Sequence, residues 1–168
     1  LFINLLTDSL PAIAIGMEPA RSGLLHRNPR DPKAPILSKG LLGRIGLQGL
    51  LIAIVTMAAF YLGYQGGDAA LASTMAFATL TLARLFHGFN CRGAEPIFRL
   101  KFSTNPYSVL AFLAGVVLLI AVLIVPGLQG LFQVSPSFAL GQLAQCLGLA
   151  ILPTVIIQIV KAGKTRQA

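Results

Sequence analysis

Three oxygen-bearing side chains stand close together near the start of the chain, in the stretch Asn4-Leu5-Leu6-Thr7-Asp8-Ser9-Leu10-Pro11. On a helix, Asn4, Thr7 and Asp8 have i, i+3, i+4 spacing and share one face. That face offers an amide carbonyl, a hydroxyl and a carboxylate. All are hard oxygen donors of the kind calcium or magnesium prefers, with no soft sulfur or imidazole among them. Pro11 follows and has no N–H to offer the Thr7 carbonyl, so the helix is expected to unwind there. Broken helices that line a cavity are a recurring way of holding cations inside membranes. The plainer reading is a kinked helix whose polar side chains bond to their neighbours.

A second ionisable residue, Arg84, lies deep in another apolar stretch, with Thr81 three residues before it and His87 three after. Charges at membrane depth are costly, about 2.5–3.5 kcal/mol each on insertion scales, so they face the bundle interior and serve a pathway or pair with one another. A guanidinium stays charged at any working pH. If Arg84 faces the Asp8 site, it fills charge space that a second cation would need. His87 reads as a structural or interfacial residue. Cys91 and Cys146 are too few and too far apart for a zinc site or a disulfide framework and read as small buried apolar residues.

The elements that must hold these groups are membrane helices. The chain has 168 residues, 55% of them hydrophobic and only 11% charged, and its mean hydropathy is +0.79. A soluble domain carries about 25% charged residues, and one this small could not bury so much apolar surface. The same composition excludes disorder. Four stretches have the roughly 20 apolar residues that a span requires: 41–64, 70–90, 107–125 and 138–160. A fifth, 1–16, is too short to span alone. The expected fold class is therefore all-α, a polytopic membrane helix bundle with four complete spans and a partial, unwound helix at its start. The chain opens inside an apolar run without Met, which reads as part of something longer.

The formal net charge of +8 is a topology signal. Apart from Arg84, every Lys and Arg lies in or beside the loop 17–40, in the loop 91–106, or in the tail 161–168. The two alternate connections have none; 65–68 is a tight Gln-Gly-Gly-Asp turn, and the region 126–136 is apolar but punctuated by Pro and Gly. Positive charge accumulates on the cytoplasmic side of membrane proteins, so the basic loops and the tail are expected there. The partner this implies is the lipid bilayer, not nucleic acid.

The motif Asn4-Leu5-Leu6-Thr7-Asp8-Ser9-Leu10-Pro11-Ala12 resembles the sixth transmembrane helix of type II P-type ATPases, the calcium-pump branch. Glu18-Pro19, the stretch Arg27-Asn28-Pro29-Arg30-Asp31-Pro32 and Ile36-Leu37-Ser38-Lys39-Gly40 resemble that family's loop between helices six and seven. Thr74-Met75-Ala76-Phe77 and Phe89-Asn90-Cys91-Arg92 resemble its eighth helix and the exit from it. The resemblance implies a C-terminal membrane domain running from helix six through ten. It also implies upstream domains of the same parent chain that hydrolyse ATP with magnesium, and calcium as the transported ion. The catalytic groups would all lie in those upstream domains. In the family, the positions of Asn4, Thr7 and Asp8 are cation ligands. The sodium/potassium branch has an acid at the Asn4 position, which favours calcium here. Arg84 aligns where two-site calcium pumps place a glutamate ligand. This departure implies one calcium per ATP, with Arg84 as a built-in counter-charge, and leaves open the role of Thr7, which belongs to the lost site. The loop 17–40 would lie under the phosphorylation domain, and its prolines would stiffen it as a relay. The family reading places the pump in a plasma membrane of bacterial type. Alternatives are a manganese or other cation pump of the same kind, or a non-enzymatic membrane transport or assembly subunit. An Asp-Lys-Thr-Gly-Thr motif upstream separates the pump from that last reading.

Overall fold

The computed structural model describes residues 2–19, 35, 37–93, 96–97 and 102–165. Most of the loop 17–40, with its prolines and basic residues, lies outside them, as does the relay role expected of it. The described chain is helical: α1 (Phe2–Gly16), α2 (Lys39–Tyr64), α3 (Ala69–Cys91), α4 (Pro106–Ile124), α5 (Pro126–Phe132) and α6 (Leu140–Thr165), with a short 3-10 turn at Phe102–Thr104. Among the described residues, four helices are long and apolar enough to cross a membrane: α2, α3, α4 and most of α6.

Local sequence sets where each helix begins. Ser38 caps α2, its hydroxyl accepting from Leu41 N at 3.3 Å. Asp68 caps α3, accepting from Leu71 N at 2.9 Å. Asn105 caps α4 by accepting from Ser108 N at 3.2 Å, and Pro106 occupies the first helical position, where a missing N–H costs nothing. Gln142 reaches back to accept from Ala139 N at 3.1 Å at the start of α6. The region 126–136, expected as a plain connection, contains α5, which ends at Gln133 in the left-handed conformation (φ 53°).

Two helices contain a proline without being interrupted by it. α1 is continuous from Phe2 to Gly16 with Pro11 inside, so the expected unwinding at Pro11 is absent from the described helix. A β-carbon added to Gly88 of α3 would sit 3.6 Å from Pro11 Cβ. Pro11 and Gly88 thus face each other at the α1–α3 contact, at a distance that would still admit a methyl group. Pro153 is fully buried within α6.

α3 is the centre of the bundle. It packs against α1, α2, α4 and α6 and is both the least apolar and the most buried of the four candidate spans. Lipid tails offer apolar side chains as good an environment as a protein core, so membrane helices associate through small residues and polar groups instead. α3 supplies both. Ala72, Ala78 and Ala83 are fully buried, and Thr74, Thr79, Thr81 and Asn90 are buried polar residues. The apolar core joins Met75 and Leu82 of α3 to Ala59 of α2, Leu119 and Leu123 of α4, and Cys146 and Ala150 of α6. Phe112 of α4 lies with its ring 5.2 Å from those of both Phe86 and Phe89. Cys146 is buried as expected, but Cys91 is exposed: its neighbours Asn90 and Arg92 face the bundle, and the residue between them does not.

Backbones approach closely between α2 and α3 at Gly63. A β-carbon there would lie 2.7 Å from Ala72 Cα and 2.9 Å from Ala72 N. Both are backbone atoms and cannot swing away. At Gly115, by contrast, the obstruction is the flexible end of Leu85. Gly63→Val is expected to force the two helices apart and to destabilise the protein by about 1–3 kcal/mol, the usual cost of overpacking. Gly115→Ala is expected to cost less. Denaturant or thermal unfolding in detergent measures both.

At this same end of α3, the Leu71 N–H holds the Asp68 carboxyl below the usual carboxylate range; hydroxyls of Ser135 and Ser137 add to the effect against partial desolvation. A lowered folded-state pKa means the cap stabilises fully above the ordinary carboxylate value and is lost as pH falls through the lowered one. Amide exchange at residues 69–72 is expected to accelerate over that acidic window, and Asp68→Asn, which keeps a capping oxygen, is expected to remove the pH dependence.

Candidate functional site

α1 and α3 run side by side, and the two charges singled out from the sequence meet between them. Arg84 Nη2 donates to Asp8 Oδ2 in an ion pair, and both side chains are half-buried. Thr7 is buried next to Asp8. Asn4 lies on the same helix at the register expected of it, but its side chain falls outside the described residues. Pro11 lies one turn beyond Asp8, with Gly88 one turn beyond Arg84. The structure brings Asp8 and Arg84 together at one helix–helix contact, with Pro11 and Gly88 facing each other one turn along.

A second arginine contact, which sequence reasoning missed, joins the same two helices farther along. The Arg92 side chain has no exposure. Its Nε donates to Glu18 Oε2 and its Nη2 to Glu18 Oε1, each at 3.0 Å. Nη2 also donates to Thr104 Oγ1 at 3.2 Å. Asn105 Nδ2 donates to Glu18 Oε2 at 2.7 Å and to the Ala14 carbonyl at 2.8 Å. This fork of two parallel bonds is the strongest geometry available to an arginine–carboxylate pair. It ties the end of α1 to the end of α3 and the start of α4. Arg92 reads from the sequence only as one of the loop charges that set topology. The signal that was available is Glu18, the one acid close after α1, together with the Asn105-Pro106 helix start.

A third polar group joins α3 to α6. Asn90 Nδ2 donates to Thr154 Oγ1 at 3.1 Å, and Gln158 Nε2 donates to Asn90 Oδ1 at 2.5 Å. Gln158 Oε1 accepts from Ile97 N at 2.8 Å. Lys161 Nζ donates to the carbonyls of Asn90 and Gly93 at 2.7 and 2.6 Å, where the negative end of the helix dipole favours a cation. His87 Nδ1 lies 3.4 Å from Asn90 Nδ2, in keeping with a structural role.

Among the described residues there is no cluster of three or more His, Cys, Asp or Glu. Asp8 brings one carboxylate to this contact, and Arg84 lies on its Oδ2.

Breaking the Glu18–Arg92 fork leaves a guanidinium buried without its carboxylate, which costs about 3–5 kcal/mol for a buried pair. Glu18→Ala is expected to lose that much in denaturant unfolding of the detergent-solubilised protein. Asn105→Ala is expected to lose less, since it removes neutral partners only.

The comparisons with known proteins follow this geometry. Residues 1–163 match the family described as "Cation transporting ATPase, C-terminus". A calcium-transporting ATPase of Bacillus subtilis is 34% identical over 159 residues, covering 94% of this chain and 18% of the relative. One from Listeria monocytogenes is 36% identical over 167 residues, covering 99% of this chain and 19% of the relative. The mouse calcium-transporting ATPase type 2C member 2 is 31% identical over 167 residues, covering 96% of this chain and 17% of its own. The chain thus spans about a fifth of the length of the relatives it matches. With an all-helical bundle of membrane-length spans and a family match over nearly its whole length, the chain belongs to the cation transporting ATPase C-terminal family, the membrane part of P-type pumps.

Proposed function

We propose that this chain is the cation-binding and translocating membrane part of an ATP-driven calcium pump. The observation that carries the reading is the Asp8–Arg84 ion pair beside Thr7 and the Asn4 position. Hard oxygen donors suit calcium as cargo, and the calcium-transporting relatives support it. ATP hydrolysis, with its magnesium, belongs to the remainder of a longer parent chain.

Arg84 stands where two-site calcium pumps carry a glutamate ligand. A permanent cation there repels calcium and occupies one oxygen of Asp8. The pump therefore moves one calcium per ATP. Asp8 and Asn4 serve the remaining site together with groups from helices outside this chain, and Thr7 is its neighbour rather than a required ligand. When calcium is absent, Arg84 neutralises Asp8, so that the empty site does not hold a lone carboxylate in a low-dielectric bundle. The joined ends of α1, α3 and α6 and the start of α4 face the cytoplasm, following the distribution of Lys and Arg. The membrane is a plasma membrane of bacterial type.

The purified full-length pump in vesicles is expected to bind one calcium per phosphoenzyme. A ratio of two overturns the reading. Arg84→Glu is expected to shift calcium affinity by at least about tenfold, about 1.4 kcal/mol, while the protein still elutes as a folded species. Asp8→Asn is expected to abolish calcium-dependent phosphoenzyme formation.

A further inference from the structure

α5 is too short to span and has no buried residue. It lies in a stretch without a single charge: no Asp, Glu, Lys, Arg or His occurs from 102 to 160. The other connection at this end of the bundle, 65–68, is a polar turn that carries Asp68. A connection bathed in water has no reason to be this apolar.

The depth of α5 follows from α4. At 1.5 Å per residue, the 19 residues of α4 cover about 28 Å, nearly the roughly 30 Å of a hydrocarbon core. Val125 then breaks the helix with extended backbone (φ −76°, ψ 117°), so α5 begins where the hydrocarbon ends. Of its apolar side chains, Leu131 points outward and is 73% exposed, while Leu128 and Phe132 are half-buried. Ile124 and Leu140, which flank the segment, are 63% and 83% exposed. Ile124 shares a face of α4 with Val117, seven residues earlier and 65% exposed.

The backbone is also prepared for a dry setting. Leu128 N and Gln129 N both donate to the Val125 carbonyl at 2.9 Å, and Val134 N donates to the Gln129 carbonyl at 2.9 Å. The Gln129 side chain turns back to donate to the Leu123 carbonyl at 2.6 Å, serving one of the last carbonyls of α4. Polar backbone at membrane depth must be satisfied internally, and here the segment's own residues do it.

We infer that α5 is a membrane-interface helix. It seats Leu131 in lipid at the boundary of acyl chains and headgroups, and it anchors the α4–α6 hairpin at that depth. Because the segment has no charge, its partner is the apolar part of a lipid leaflet, whatever the headgroup charge. The inference rests on the reading of α4 as a span.

Nitroxide labels on single cysteines test this in the membrane-reconstituted protein, with other accessible cysteines replaced. Leu131→Cys is compared with Val117→Cys on the span and Gly66→Cys in the polar turn, where a side chain meets nothing within 4 Å. The label at 131 is expected to collide several-fold more often with oxygen than with a water-soluble nickel chelate, as at 117, and this preference should hold when anionic lipid is added. Access like that at 66 places the segment in water and overturns the inference. Poor access to both reagents places it under protein and overturns it as well. A label at 117 that prefers the chelate instead refutes the span on which the inference rests.

Discussion

A guanidinium cannot shed its charge, and among apolar helices it must lie against a carboxylate or remain uncompensated at great cost. α3 carries one, Arg84, and its C-cap another, Arg92, eight residues on and about 12 Å along the helix. Asp8 of α1 and Glu18, two residues past the end of α1, answer them. The two pairs meet simultaneously, with Pro11 against Gly88 between them. Two charge pairs fix both the register and the relative rotation of these helices. A slip of α1 by one turn would break both at once. The candidate cation ligands therefore sit on a helix whose position α3 dictates.

α3 can hold this role because its other contacts are of a different kind. Towards α2 it presents Ala72 to Gly63, where backbones approach with no side chain between them. Towards α6 it presents Asn90, which three side chains of that helix or its extension contact. Small residues set distance and polar residues set orientation. The same helix thus serves as spacer on one side and as a charged clamp on another. Its modest apolarity follows from that: Thr74, Arg84 and Asn90 each bond a residue of another segment.

The number and placement of spans were legible because length and apolarity alone decide what crosses a bilayer. Asp8 and Arg84 were legible as the two charges inside apolar stretches, though not the bond between them, which depends on how α1 lies on α3. Pro11 misled because a missing N–H says nothing of what lies opposite the ring. The residue opposite it, Gly88, is 77 positions away in sequence. Arg92 was hidden for a related reason. A basic residue just past a span looks like a loop charge, and only the convergence of Glu18, Thr104 and Asn105 removes it from water. α5 escaped notice because seven residues between a Pro and a left-handed Gln give too little periodicity to separate a short helix from a turn.

Lys161, Gln158 and Thr154 all come from α6, and all serve the end of α3 and the residues just after it. A nascent chain makes α3 first and α6 much later. Until α6 enters the bilayer, the Asn90 amide and the terminal carbonyls of α3 lack the partners that complete them. The polar exit of α3 is thus completed by residues made some sixty to seventy positions later, and the order of synthesis leaves it open until α6 packs against it.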